Sequence, residues 1–121
     1  MKLTSIFRKG PPPTLQILFQ GEQIAELTKL SSGGKVRYSF RYLPAFERLN
    51  LAALPGLPVS PSALESSELW PFFAERIPDA RRPEIQAWMK LKGLTEQDDI
   101  RLLAELGSHS VTDPFEILIA A

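Results

Sequence analysis

The residues best equipped for chemistry lie late in the chain, in Ser108-His109-Ser110 with Asp113 shortly after. A hydroxyl, an imidazole and a carboxylate are the parts of a small hydrolase: nucleophile, general base and orienting acid. Adjacency along the chain does not make that geometry, because the three groups must line up in space. A polar loop between a helix and a strand is the stronger reading. Glu96, Asp98 and Asp99 form an acidic group of the kind glycosidases or metal sites use. They stand at a helix start, where carboxylates cap free amides and meet the positive end of the helix dipole. Gly33-Gly34-Lys35 has neither the spacing of a phosphate-binding loop nor a helix after it.

Two basic groups point to anionic partners. Lys35, Arg37 and Arg41 interleave with Tyr38 and Phe40, as in a sheet that binds nucleic acid. Strand alternation sends the aromatics to the opposite face, so a solvated outer face outweighs a nucleic-acid-binding or adaptor role. Arg76, Arg81 and Arg82 can meet a phosphate or an acidic partner, or stay hydrated. An aromatic cluster remains, in SSELWPFFAERI (residues 66–77). Phe72 and Phe73 read as core of a helix. Trp70 precedes Pro71, which biases it to extended backbone on the loop side of the junction. A loop tryptophan is a plausible contact for a partner, since it buries much area with few rotors to freeze. It can equally pack back on its own sheet, and both readings stand open.

Bulk properties narrow the classes further. Lysine plus arginine number 14, as do aspartate plus glutamate, so no global field favours nucleic acid or an anionic membrane. There is no cysteine, which removes thiolate metal sites, thiol catalysis and disulfides. A lone histidine rules out histidine-rich metal constellations. No cofactor is expected. MKLTSIFRKGPPP lacks the apolar run of a signal peptide, and no stretch is long and apolar enough to span a bilayer. A cytoplasmic protein is the expectation.

The elements that must position these residues follow from periodicity. Residues 1–13 end in a stiff proline run and read as an N-terminal arm; residues 14–121 read as a single domain. Leu15, Ile17 and Phe19 alternate before Gly21, and Ile24 and Leu27 lie on the return strand of a hairpin. After the Ser31-Ser32-Gly33-Gly34 turn, Val36, Tyr38, Phe40 and Tyr42 face one way and Lys35, Arg37, Ser39 and Arg41 the other. Prolines 44, 55, 58 and 61 argue against helix over residues 43–67, where Leu57-Pro58-Val59 forms at most a short edge strand. Helices are predicted from Pro71, from Pro83 to Gly93, and from the capping pattern Thr95-Glu96-Gln97-Asp98 to Gly107, the last burying Ile100, Leu103 and Leu106. FEILIA (residues 115–120) reads as a closing strand. The fold class is α+β: a small antiparallel sheet, partly open and barrel-like, covered by about three short helices.

Taken together, LQILFQGEQIAELTKL, GGKVRYSFRY, LPGLPVSPSAL, LWPFFAERIPDARR and GLTEQDDIRLLAELG resemble the N-terminal subdomain of HipA-type serine/threonine kinases. The resemblance rests on Phe40-Arg41-Tyr42, on Pro71 to Arg81 and on Asp99 to Gly107. It departs from the family in the stretch Gly107 to Asp113. HipA-type proteins continue into a kinase body, and this sequence ends at Ala121. A free-standing copy of the subdomain is similar to the HipS-like antitoxins of three-component HipBST systems. The resemblance implies a non-enzymatic antitoxin that binds and neutralises a HipT-like kinase toxin, with a HipB-like DNA-binding protein in the same complex. Trp70 with Ser66, Ser67, Glu68 and Leu69 is the candidate contact. Ser60, Ser62, Ser66 and Ser67 are candidate phosphoacceptors or substrate mimics.

Overall fold

Two tight turns set the sheet. In the computed structural model, which describes residues 14–120, β1 (Thr14–Phe19) folds back onto β2 (Glu22–Ser32), and β2 onto β3 (Lys35–Tyr42). The first turn has positive φ at Gln20 (51°) and Gly21 (84°), the second at Gly33 (59°) and Gly34 (80°). Two successive left-handed residues match the twist of an antiparallel hairpin, and glycine adopts them without strain. The proposed arm, residues 1–13, lies outside the described residues.

Ile24 and Leu27 are three apart, a spacing that a regular strand cannot put on one face. A β-bulge resolves it. The register steps from Ile17 opposite Ala25 to Leu18 opposite Gln23, which leaves Ile24 as the extra residue. Ile24 and Ala25 are both fully buried, and the Ile24 carbonyl accepts a hydrogen bond from the Leu43 amide at 2.8 Å.

The sheet gains β4 (Leu64–Ser66) and β5 (Phe115–Ile119), in the order β4-β3-β2-β1-β5. Every pairing is antiparallel and the sheet stays open, with β4 and β5 at its edges. Leu15, Ile17, Leu27, Phe40 and Ile117 give one buried face. Phe46, Leu54, Leu57, Phe73, Ile100 and Leu103 cover it from the connecting segments and helices. Each such side chain removed from water contributes about 1.5–3 kcal/mol.

Four helices are present among the described residues: α1 (Pro44–Arg48), α2 (Pro71–Ala74), α3 (Pro83–Lys92) and α4 (Asp99–Leu106). α1 was not expected. Its Pro44 stands at the first helical position, where the missing N–H is harmless, so the proline starts a helix rather than preventing one. The short edge strand also lies elsewhere than Leu57-Pro58-Val59. Leu57 is a fully buried plug whose carbonyl accepts the Tyr42 hydroxyl at 2.6 Å, and β3 pairs instead with Leu64–Ser66.

α4 begins later than its capping pattern suggests. Thr95 to Asp98 close a turn, in which the Asp98 carboxylate accepts the Thr95 amide at 2.8 Å. Asp99 then opens the helix. Ile100, Leu102 and Leu103 are its buried residues, whereas Leu106 is only half-buried. Lys29 on β2 holds the helix start to the sheet, donating to Asp99 Oδ1 and to the Gln97 carbonyl, both at 2.9 Å. The Tyr38 hydroxyl donates to the other Asp99 oxygen. Burial, reinforced by that carboxylate, pushes the Tyr38 phenol well above its ordinary range.

Candidate functional site beside the Trp70 junction

Pro71 at the first position of α2 fixes the direction in which the chain enters the helix, and Trp70 is its extended N-cap, with φ −63° and ψ 146°. The Trp70 ring meets Phe40 edge-on at 6.2 Å between centroids and stays partly accessible. Trp70 therefore packs on its own sheet, as one of the two readings held, and stays only partly buried. Leu69 packs beside it against the core. Ser67 and Glu68 are exposed, and the Ser66 hydroxyl accepts the Glu68 amide at 3.1 Å. Ser66 to Trp70 thus form one short continuous surface between β4 and α2. Ser60 and Ser62 are exposed in the loop before β4.

Next along α2, Phe73 is fully buried and meets Phe40 at 5.8 Å. Phe72 stands edge-on to Phe73 at 5.1 Å and to Phe115 at 6.1 Å. Arg76 lies in the turn after α2, where its amide donates to the Phe73 carbonyl at 3.0 Å and its side chain turns inward. Its side chain is only 4% exposed. Nε donates to the Gly107 carbonyl at 2.7 Å, one terminal nitrogen to both Asp113 oxygens, and the other to the Ser108 and Phe115 carbonyls. A guanidinium has five N–H donors, and this set uses its full capacity.

Asp113 also accepts the Phe115 amide at 2.9 Å, and Ser108 accepts the Ile117 amide at 2.9 Å. The backbone of the edge strand β5 is thereby tied to the loop before it, which blunts an edge that would otherwise invite strand pairing. Gly107 makes the arrangement possible. A Cβ there would lie 2.8 Å from the Arg76 carbonyl oxygen.

The other chemistry-bearing residues fall apart. Asp113 belongs to Arg76. The Ser108 hydroxyl is 3.2 Å from His109 Nδ1, while His109 Nε2 faces Glu116 at 3.3 Å with the imidazole 75% exposed. Glu96 is exposed, Asp98 caps a turn and Asp99 holds Lys29. Among the described residues no group of three or more histidine, aspartate or glutamate side chains could hold a metal ion. Arg37 pairs with Glu65 at 3.0 Å and Arg41 with Glu26, so the basic strand face is largely neutralised, with Lys35 at its exposed end. Arg81 pairs with Asp79, and that hydrogen bond holds the Asp79 carboxyl down at about 2. Arg82 pairs with Glu84.

Sequence reasoning missed the feature that organises this end of the molecule. A groove of about 570 Å³ runs beside α2. Pro55 and Gly56 line it from the loop before β4, and Pro71, Phe72, Glu75 and Arg76 from α2 and the turn after it. Ser110, Thr112, Asp113 and Phe115 complete it from the segment entering β5.

The family model of the HipA N-terminal domain matches residues 15–111, most of the chain and all but the last strand of its sheet. The chain belongs to the HipA N-terminal domain family. A solved structure of the N-terminal domain of a HipA toxin has the same fold as this HipA N-terminal domain. The TM-score is 0.55 at 20% identity, over 93% of this chain and 97% of that one. No curated protein matches the chain by sequence. Among the described residues of this HipA N-terminal domain, no helix is long and apolar enough to cross a membrane.

Proposed function

We propose that this HipA N-terminal domain is an antitoxin that binds a HipT-like or HipA-like serine/threonine kinase toxin and holds it inactive by protein–protein contact. The observation that carries this reading is the family match over residues 15–111, supported by a fold shared with the N-terminal domain of a HipA toxin. Membership of this family relates the chain to toxin–antitoxin systems; the antitoxin role and the kinase partner are our inference. A domain of this kind that works apart from its kinase needs a complementary, partly apolar docking surface.

The Trp70 junction suits that task. Trp70 is held against Phe40 and is only partly buried, so little freedom is lost when a partner covers its accessible part. Ser66, Ser67, Glu68 and Leu69 extend the contact. In this reading the domain performs no catalysis, needs no cofactor and works in the cytoplasm, with a HipB-like DNA-binding protein in the same assembly. Ser60, Ser62 and Ser67 are exposed and Ser66 is half-buried, and they serve as acceptors or mimics for the kinase. Co-expression with a HipT-like kinase tests the reading: the two chains co-purify, and mass spectrometry finds phosphate on this serine segment. Failure to co-purify rejects the antitoxin role, whereas a complex without phosphate rejects only modification.

A further inference from the structure

The groove beside α2 is lined by aromatic, hydroxyl and charged side chains. Its aromatic side is fixed by contacts within the domain: Phe72 against Phe73 and Phe115, and Phe115 against Phe19 at 5.7 Å. The Arg76 guanidinium lies 5.8 Å from the Phe72 ring centre, and the charge of Arg76 is matched by Asp113. With its N–H groups already donated and its side chain 4% exposed, Arg76 is not available to an incoming anion. Glu75 is different. It lines the same groove and is exposed, and no ion pair or side-chain hydrogen bond engages it among the described residues. Ser110 and Thr112 add hydroxyls that bond to one another at 2.8 Å and keep capacity for a peptide backbone.

A rigid lining of proline and phenylalanine, a neutralised Arg–Asp pair and one uncompensated carboxylate select a definite occupant. We infer that the groove receives an extended peptide segment of the partner, with apolar side chains against Phe72 and Phe115 and a lysine or arginine facing Glu75. This inference rests on the antitoxin reading for its partner, and adds a second contact distinct from the Trp70 junction. Because Glu75 sits at an exposed rim, it acts mainly on encounter rate and salt dependence.

The test measures association of a HipT-like kinase with the full chain at low and high salt. Three exposed positions are varied: Glu75→Lys, Thr112→Arg to fill and charge the groove, and Glu47→Lys as an equal charge change on α1. Glu75→Lys is expected to slow association about tenfold at low salt, with the difference shrinking at high salt. Thr112→Arg weakens the complex at both salt concentrations, and Glu47→Lys leaves it unchanged. Wild-type binding with Glu75→Lys and Thr112→Arg both unaffected overturns the groove assignment and leaves the antitoxin reading intact. Equal slowing by Glu75→Lys and Glu47→Lys overturns it too, since only overall charge then matters. If the wild-type chain does not bind the kinase, both readings fail.

Discussion

Arg76 grips both carboxylate oxygens of Asp113, at 2.9 and 2.8 Å, across 37 positions of sequence. Each residue had invited a functional reading by itself, Arg76 as part of a phosphate-binding patch and Asp113 as the acid of a hydrolase. Joined, they are an internal clamp. The clamp ties the turn after α2 to the loop before β5, and both of its residues line the groove.

Loss of the clamp is expected to be severe. Arg76→Ala takes the guanidinium from a carboxylate and three carbonyls, of which Asp113 and the Ser108 carbonyl keep only one amide donor each, so unfolding free energy should fall by about 3–5 kcal/mol. Asp113→Asn keeps the shape but loses the charge pair, and about 1–3 kcal/mol is expected. Urea denaturation of both variants checks the order.

Gly107→Ala should destabilise although its backbone, at φ −112°, suits any residue. The added methyl meets the Arg76 carbonyl oxygen at 2.8 Å, and backbone cannot yield as a flexible side chain would. About 1–3 kcal/mol is the expected penalty for such overpacking, read from the same denaturation curves.

Tyr38 and Tyr42 supply a pH dependence with a definite sign. Burial raises both phenols, with Asp99 adding to the effect at Tyr38 and the Leu54 amide opposing it at Tyr42. An acid whose folded pKa is raised holds its proton longer in the folded state than in the unfolded state. Stability is therefore full below the ordinary tyrosine range, about pH 10, and falls as pH climbs through it. Ultraviolet titration should find phenolate appearing later in the native protein than in denaturant, and Tyr38→Phe should flatten the alkaline decline.

Much of the fold was legible because its signals are local. The Val36, Tyr38, Phe40 and Tyr42 alternation marks β3, although Val36, nearest the turn, stays 37% exposed. α1 carried the same signal as α2 and α3, a proline at the first helical position, and was masked by the density of prolines after it. β4 is too short to have a period; its pairing with Tyr38 and Phe40 is decided by β3. The clamp was hidden because its halves meet only in the folded chain. One clue was available: Arg76 lies three residues beyond buried Phe73, so a chain that keeps turning past α2 brings both to the same side. The groove carried no signal at all, since it is assembled from three separated segments.

Trp70→Ala should weaken kinase binding by about 2 kcal/mol, roughly 30-fold in Kd. The same change removes packing on Phe40, so thermal unfolding must be followed alongside. Trp70→Phe separates the two effects: it keeps aromatic packing while reducing the surface offered to a partner. A loss of binding in both variants that exceeds any loss of folded protein supports the contact.

The central claim is neutralisation of a kinase, and titration of kinase activity tests it most directly. Increasing amounts of the full chain are added to an active HipT-like kinase while phosphate transfer is followed. The account predicts activity falling to zero at one chain per kinase, with Trp70→Ala shifting the curve to higher concentration. Undiminished phosphate transfer with the wild-type chain in excess would contradict it.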